Sequence, residues 1–249
     1  MIGTDDLSRV LRRLKLGGVQ HTLELRQRQA VEENLDCVEF LFRVLHDEVE
    51  RRDGKKLQEM ITRAGFENER TLEVFKWNFN AKVPKSRIID LATAHFVDRH
   101  ENVLFVGPAG VGKSHLAQAL GHRAVRRGHE TLFITAPRLF GELRAGRGDG
   151  SYERRLARFC DVALLIVDDL GLMPLRGDEP ADLYEIIRLR YERRSMIITS
   201  NRSAAEWPGV FGDPLLASAA VDRLRHHAHI IEIEGASYRD PRAHSGAEA

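Results

Sequence analysis

Hydrophobic and polar positions change rhythm near residue 102. Before it, Leu7, Val10, Leu11 and Leu14, and later Val38, Leu41, Phe42, Leu45 and Val49, recur three or four positions apart. That is the period of an amphipathic helix. Gly17-Gly18 interrupts the first pair of helices. This pattern predicts a small helical domain over residues 1–70. The stretch TLEVFKWNFNAKVPKSR (71–87), aromatic and then broken by Pro84, opens a connector over 71–101. From Asn102 onward short apolar runs alternate with helix-length segments: VLFV (103–106), TLFIT (131–135), VALLIV (162–167), MIITS (196–200) and IIEI (230–233). Strands separated by helices pair in parallel through crossovers, so 102–236 is predicted to be an α/β three-layer domain. Residues 237–249 read as a polar tail.

Composition narrows the classes without naming one. The chain has 249 residues, 43% of them hydrophobic and 30% charged, with 38 Lys+Arg against 37 Asp+Glu. That balance suits a globular protein and gives no overall attraction to a polyanion, so nucleic-acid contact has to come from local patches. Two cysteines, Cys37 and Cys160, make no disulfide framework. No apolar run approaches the ~18 residues of a membrane span, and MIGTDDLSRV has no signal-peptide pattern. The expectation is a cytoplasmic protein without a membrane partner.

The chemistry starts at the end of the first strand. GPAGVGKS, Gly107 to Ser114, matches G-x-x-x-x-G-K-[ST] and leads into the helical HLAQALGHRAVRR. Such a loop curls its backbone N–H groups around phosphates, and the following helix adds its positive end. Gly107, Pro108, Ala109, Gly110, Val111, Gly112, Lys113, Ser114 and His115 are the predicted nucleotide-binding residues. Lys113 reaches the β and γ phosphates and Ser114 offers its hydroxyl to Mg²⁺. A second signal is LLIVDDLG (164–171), a buried strand ending in two acids. Beside a phosphate loop, Asp168 is the expected Mg²⁺ ligand, acting mostly through water, and Asp169 the group that polarises the attacking water. The competing reading is that both acids cap the turn or pair with Lys113. A third is MIITSN, which puts Thr199, Ser200 and Asn201 at another strand tip. Asn201 is either a γ-phosphate sensor or part of an ordinary Asx turn.

These motifs resemble the AAA+ ATPases of the IstB type, helpers of insertion-sequence transposases, with DnaC-type helicase loaders as near relatives. The resemblance rests on GPAGVGKSHLA (107–117), LLIVDDLGLMPL (164–175) and the block from YERRSMIITSN through VDRLRHHAHIIEIEGASYR (191–239), and it extends to LRRLKLGGV and FENERTLEVFKWNF before the core. It implies a P-loop core with strand order 5-1-4-3-2 and no C-terminal lid, ATP and Mg²⁺ as cofactors, and ATP at the interfaces of a homo-oligomer. Lys113, Asp168, Asp169, Asn201 and Arg223 take the catalytic roles, Arg223 as a finger reaching a neighbour's nucleotide. Ser114 and Asp168 are the Mg²⁺ pair. Asp169 departs from the Glu many AAA+ proteins carry, which implies slow hydrolysis stimulated by DNA or a partner. Without the resemblance, Arg223 and Arg225 read as solvated charges on an amphipathic helix. Arg239 is a candidate substitute for a missing second sensor, and Phe75, Trp77 and Phe79 either cover the adenine or pack domains together.

The segment RLFGELRAGRGDGSYERRLARF (138–159) carries Arg144, Arg147, Arg154, Arg155 and Arg158 around a Gly-rich turn. The resemblance places it facing DNA, with Arg144, Arg147, Arg154 and Arg155 on the backbone and little sequence preference; the alternative is a solvated helix face. His226, His227 and His229 lack a Cys or acid at ligand spacing, so they read as surface residues rather than a metal site. The functional expectation is a DNA-binding ATPase that assembles on target DNA and recruits or stimulates the transposase of the same insertion element, the N-terminal helices serving DNA or the partner. The alternatives are a DnaC-like loader of a replicative helicase, a nucleotide-dependent switch that barely hydrolyses, and a small-molecule kinase, for which no phosphate-clamping lid is visible.

Overall fold

The computed structural model describes residues 4–235 together with Ser237 and Tyr238. Two compact units divide between Glu59 and Met60.

The first unit holds α1 (Thr4–Arg13), α2 (Gly17–Glu32) and most of α3 (Cys37–Ala64), inside which the division falls. Gly17-Gly18 starts α2. The Gly18 amide donates to Glu48 Oε2 at 2.5 Å, and Arg26 grips Asp47 through two hydrogen bonds of 2.9 and 2.6 Å. The buried core is Leu11, Val19 and Val44, with Leu16, Leu23 and Phe40 against it. Leu7, Val10, Leu14, Val38, Leu41, Phe42, Leu45 and Val49 are exposed, Val38 at 77% and Phe42 at 62%. The helices lie where their period predicts, but the most regular apolar stripe faces outward.

The second unit continues through a 3₁₀ turn (Trp77–Phe79), α4 (Lys85–Leu91) and α5 (His95–Asp98) into β1 (Asn102–Val106). It then runs through α6 (Lys113–Arg126), β2 (Thr131–Thr135), α7 (Ala136–Asp149), α8 (Tyr152–Asp161), β3 (Leu164–Leu170), α9 (Glu179–Arg190) and β4 (Ser195–Ser200). After α10 (Trp207–Phe211) and α11 (Pro214–Arg225) comes β5 (Ala228–Glu232). The five strands are parallel in the order β2-β3-β4-β1-β5, the predicted 5-1-4-3-2 read from the other edge.

Both faces of the sheet are covered, which is why the strands carry continuous apolar runs such as VLFV, LFI, LLIV and MII. Leu165 and Val167 enter one core with Leu139, Phe140, Leu183, Ile186 and Leu224. Leu164 and Ile166 enter the other with Leu116, Leu120, Phe105 and Ile197. The stretch read as a Gly-rich turn with arginines is two helices, α7 and α8, joined only by Gly150 and Ser151.

One cation is built into this framework. Arg190 is 1% exposed, and its guanidinium donates to the carbonyls of Phe159, Cys160, Val162, Ala163 and Ser195 at 2.5–3.3 Å. Burial pushes its pKa down to about 9, still above neutrality, so it stays charged and ties the α8–β3 connection to the start of β4. Among the described residues, no helix is long and apolar enough to cross a membrane.

Candidate functional site

In a parallel sheet of this kind the carboxyl ends of the strands are the place for a ligand. Here β1, β3 and β4 deliver their ends to one cleft of about 520 Å³, lined by Ala109 to His115, Asp169 and Asn201 and by Arg70, Phe75, Lys76, Phe79 and Tyr238.

The phosphate loop needs glycine at its bends. Gly107 has φ 147° and Gly110 φ 82°; a Cβ on Gly107 would collide with the Ile233 carbonyl, and one on Gly110 with the Ser237 hydroxyl. The loop feeds α6, whose N-cap is Gly112 and therefore has no capping side chain. Uncapped amides at a helix start are an anion site. Lys113 is 5% exposed. Its Nζ donates to the Gly107 and Pro108 carbonyls, each at 2.7 Å, and to Asn201 Oδ1 at 2.6 Å. The ammonium group thus sits inside the loop's curl, bound to the residue at the tip of β4.

The two acids owe their placement to a bulge. Val167 pairs with Ile198 and Leu170 with Ser200, so β3 spends three residues where β4 spends two. Asp169 takes the left-handed φ of 58°, which costs a non-glycine residue roughly 1 kcal/mol. Thr199 lies opposite the bulge: its hydroxyl donates to Asp168 Oδ1 at 2.5 Å and accepts the Asp169 amide at 3.0 Å. Asp168 is 3% exposed. Burial pushes its carboxyl up, Asp169 and Glu67 add to that, and hydrogen bonds from Thr199 and Ser114 pull it back. The two oxygen donors predicted for Mg²⁺, half-buried Ser114 and buried Asp168, are therefore hydrogen-bonded to each other. Hard oxygen ligands beside a glycine cradle and a lysine suit a magnesium-bound nucleotide phosphate.

Arg70, Lys76 and Tyr238 line the cleft without a signal in the sequence. Thr199 was visible as a polar strand tip, but the bulge that puts it between the acids is not written in the sequence. Ser237 and Tyr238 were assigned to the tail, yet Tyr238 donates its amide to the Gly110 carbonyl at 2.9 Å and sets its ring edge-on to Phe79 at 4.8 Å. Phe75 lines the cleft and meets His115 edge-on at 5.1 Å, whereas Trp77 packs on Phe75 outside it. His115 donates Nε2–H to the Thr71 carbonyl at 2.8 Å, and burial pushes its pKa down.

Other candidates lie elsewhere. Arg223, on α11, does not line the cleft; its guanidinium is 5.4 Å from the Tyr184 ring centre and 5.9 Å from that of Tyr191, and it donates to the Ala219 carbonyl at 3.0 Å. Of the arginines assigned to DNA, Arg144 pairs with Glu179, Arg147 with Asp182 and Asp178, and Arg155 with Asp149. Arg158 pairs with Glu142. Arg154 is exposed and has no carboxylate within ion-pair distance among the described residues. The four are therefore not one free basic strip. The histidine reading also changes: Glu192 supplies the acid absent from the local sequence, beside His226 and His227, while His229 pairs with Glu101 at 2.8 Å. Arg239 lies outside the described residues.

Comparison with known proteins agrees with this architecture. The family model for IstB-like ATP binding proteins matches residues 9–246. An insertion sequence IS5376 putative ATP-binding protein from Geobacillus stearothermophilus is 39% identical over 83% of this chain and 82% of its own length. An insertion sequence IS21 putative ATP-binding protein from Pseudomonas aeruginosa is 36% identical over 94% of this chain and 88% of its own. Among solved structures, the DnaC helicase loader superposes with a TM-score of 0.51 at 25% identity, over 63% of this chain and 97% of that one. With an AAA+ type sheet, a phosphate loop at its carboxyl edge and relatives of this kind across nearly its whole length, the chain belongs to the family of IstB-like ATP-binding proteins.

Proposed function

We propose that the protein is a magnesium-dependent ATPase that assembles on DNA and, in the nucleotide-bound state, recruits or stimulates the transposase of its own insertion element. The observation that carries this reading is the joining of Lys113, Ser114, Asp168, Thr199 and Asn201 at three neighbouring strand ends. The relatives' place in insertion sequences supplies the biological context.

Each residue has a physical task. An incoming phosphate takes the Nζ hydrogen bonds that Lys113 gives to Gly107, Pro108 and Asn201, so binding and release of Asn201 are one event. Ser114 and Asp168 would hold Mg²⁺, which neutralises phosphate charge when bound. Asp169 and the freed Asn201 amide orient the attacking water. Asp169 is one methylene shorter than Glu, so it reaches less far and turnover is slow until assembly improves the fit. Arg223 does not line its own cleft; extended off Tyr184 and Tyr191 it reaches a neighbour's phosphate, which makes ATP the joint between copies.

On DNA, Arg154 makes the first phosphate contact, and Arg144, Arg147 and Arg155 contribute only by exchanging carboxylates for phosphates. One copy then binds weakly, and assembly multiplies the contacts. Residues 1–59 present helices for DNA or transposase. The test is phosphate release with and without duplex DNA: turnover that needs Mg²⁺ and rises with DNA is expected, and release indifferent to both contradicts the proposal. The likeness to a helicase loader favours one competing reading, in which a replicative helicase, not the transposase, stimulates turnover.

A further inference from the structure

The turn after α9 and the end of α11 bring together three side chains that the nucleotide cleft does not use. Glu192, His226 and His227 offer one ligand atom each, all within 4.8 Å of one another. His226 Nδ1 is 3.6 Å from Glu192 Oε1 and 2.8 Å from the Tyr191 hydroxyl. The two imidazoles lie with ring centres 4.0 Å apart at 48°.

An ion pair between Glu192 and His226 explains one histidine and leaves the second unaccounted for. Glu192 and His227 both hold the left-handed conformation, at φ 55° and 57°, each in the turn that ends its helix. The three residues are exposed, so burial does not account for their convergence. Among the described residues this is the one grouping of three His, Cys, Asp or Glu side chains with ligand atoms so close.

We propose that Glu192, His226 and His227 form a binding site for a divalent transition-metal ion, Zn²⁺ foremost, with a water as fourth ligand. Two imidazoles and a carboxylate suit Zn²⁺ and its neighbours, whereas Mg²⁺ and Ca²⁺ prefer all-oxygen sites. Zn–N and Zn–O bonds of about 2.0–2.1 Å put tetrahedral ligand atoms about 3.3 Å apart, a closure the exposed side chains make by rotation. The Tyr191 hydroxyl either yields Nδ1 of His226 to the metal or holds the ring from behind. A bound ion clips the end of α11 to the α9–β4 turn, three residues from Arg223. The site does not depend on the function proposed above.

The test uses untagged, chelator-treated full-length protein without nucleotide, titrated with Co²⁺ by visible absorption and then with competing Zn²⁺ or Mg²⁺. One equivalent of Co²⁺, displaced by Zn²⁺ and not by Mg²⁺, is expected. His226→Ala and His227→Ala should each weaken it more than about tenfold, the low end of what loss of a mere supporting partner does; Glu192→Gln should weaken it as well, and His46→Ala should not. Binding unchanged in both histidine variants, or equally reduced in His46→Ala, overturns the proposal as adventitious surface binding. In the unsubstituted chain, Co²⁺ should broaden the imidazole signals of His226 and His227 first; equal broadening at His21, His46 and His100 contradicts it.

Discussion

A single hydroxyl, that of Thr199, holds both acids at the end of β3, donating to the Asp168 carboxylate at 2.5 Å and accepting the Asp169 amide at 3.0 Å. Thr199→Val keeps the shape and removes both bonds. Partners that orient a metal-binding carboxylate are typically worth 10–100-fold in metal affinity or activity. Thr199→Val should therefore raise the Mg²⁺ concentration for half-maximal ATP turnover by about tenfold or more, while Thr199→Ser stays near the parent. A Mg²⁺ titration of phosphate release checks this; an unchanged midpoint in the valine variant removes Thr199 from the site.

Lys113 and Asn201, joined at 2.6 Å, should separate binding from turnover. A hydrogen bond to a charged group is worth about 1.5–3 kcal/mol. Lys113→Ala should thus weaken ATP binding by at least about tenfold. Asn201→Ala frees the lysine, so affinity should hold or improve while turnover falls. Equilibrium binding of a fluorescent ATP analogue beside single-turnover rates distinguishes the two, and parallel losses in both variants would contradict these roles.

Arg190→Met tests the framework rather than the chemistry. Five carbonyls would lose this guanidinium; that of Ala163 keeps the Ser195 amide, and each buried group left unsatisfied costs about 1–3 kcal/mol. Relaxation and water will recover some of that, so a loss of about 3 kcal/mol or more is expected in urea unfolding. A loss below about 1 kcal/mol would show that the carbonyls find other partners.

Acid should loosen the N-terminal unit at defined groups. The Arg26 guanidinium pulls Asp47 from an ordinary 3.8 to about 2. Arg51, helped by Arg52 and the Gly18 amide, pulls Glu48 from 4.5 to about 2. Both folded values lie below the unfolded ones, so the native state binds fewer protons over this range. Their stabilisation is complete above about pH 4.5 and is lost as pH falls through about 2. Carboxyl NMR titration should find both midpoints near 2, and Arg26→Met should return Asp47 toward 3.8 and leave Glu48 low. An ordinary Asp47 midpoint in the parent chain contradicts the pairing.

The α/β half was legible because its signals are contiguous. GPAGVGKS is eight adjacent residues, and strands covered on both faces carry continuous apolar runs, so β1, β2 and β4 lie within one residue of their predicted bounds while β3 runs on three residues through the two acids. What escaped notice depends on long-range contact. Glu192 and His226 are brought together only by the meeting of the α9 and α11 ends. Arg144, Arg147 and Arg155 read as free charges because their carboxylate partners are separate in sequence or across a turn. Arg190 is hidden in the charged run RLRYERR (188–194), where no pattern marks it as the buried member. In the N-terminal unit the period gave helices correctly, but Leu11, Val19 and Val44 form the core and the more regular stripe through Val38 and Phe42 does not. Periodicity identifies an apolar face and cannot say whether this chain covers it.

The central claim, that ATP joins copies of this chain on DNA through Arg223, is tested most directly by sedimentation velocity. Protein with ATP or ADP, each with and without duplex DNA, should form large assemblies only with ATP and DNA together. Arg223→Ala should remain small while retaining the parent's ATP affinity. A monomer under every condition, or assemblies that persist in Arg223→Ala, would contradict the account.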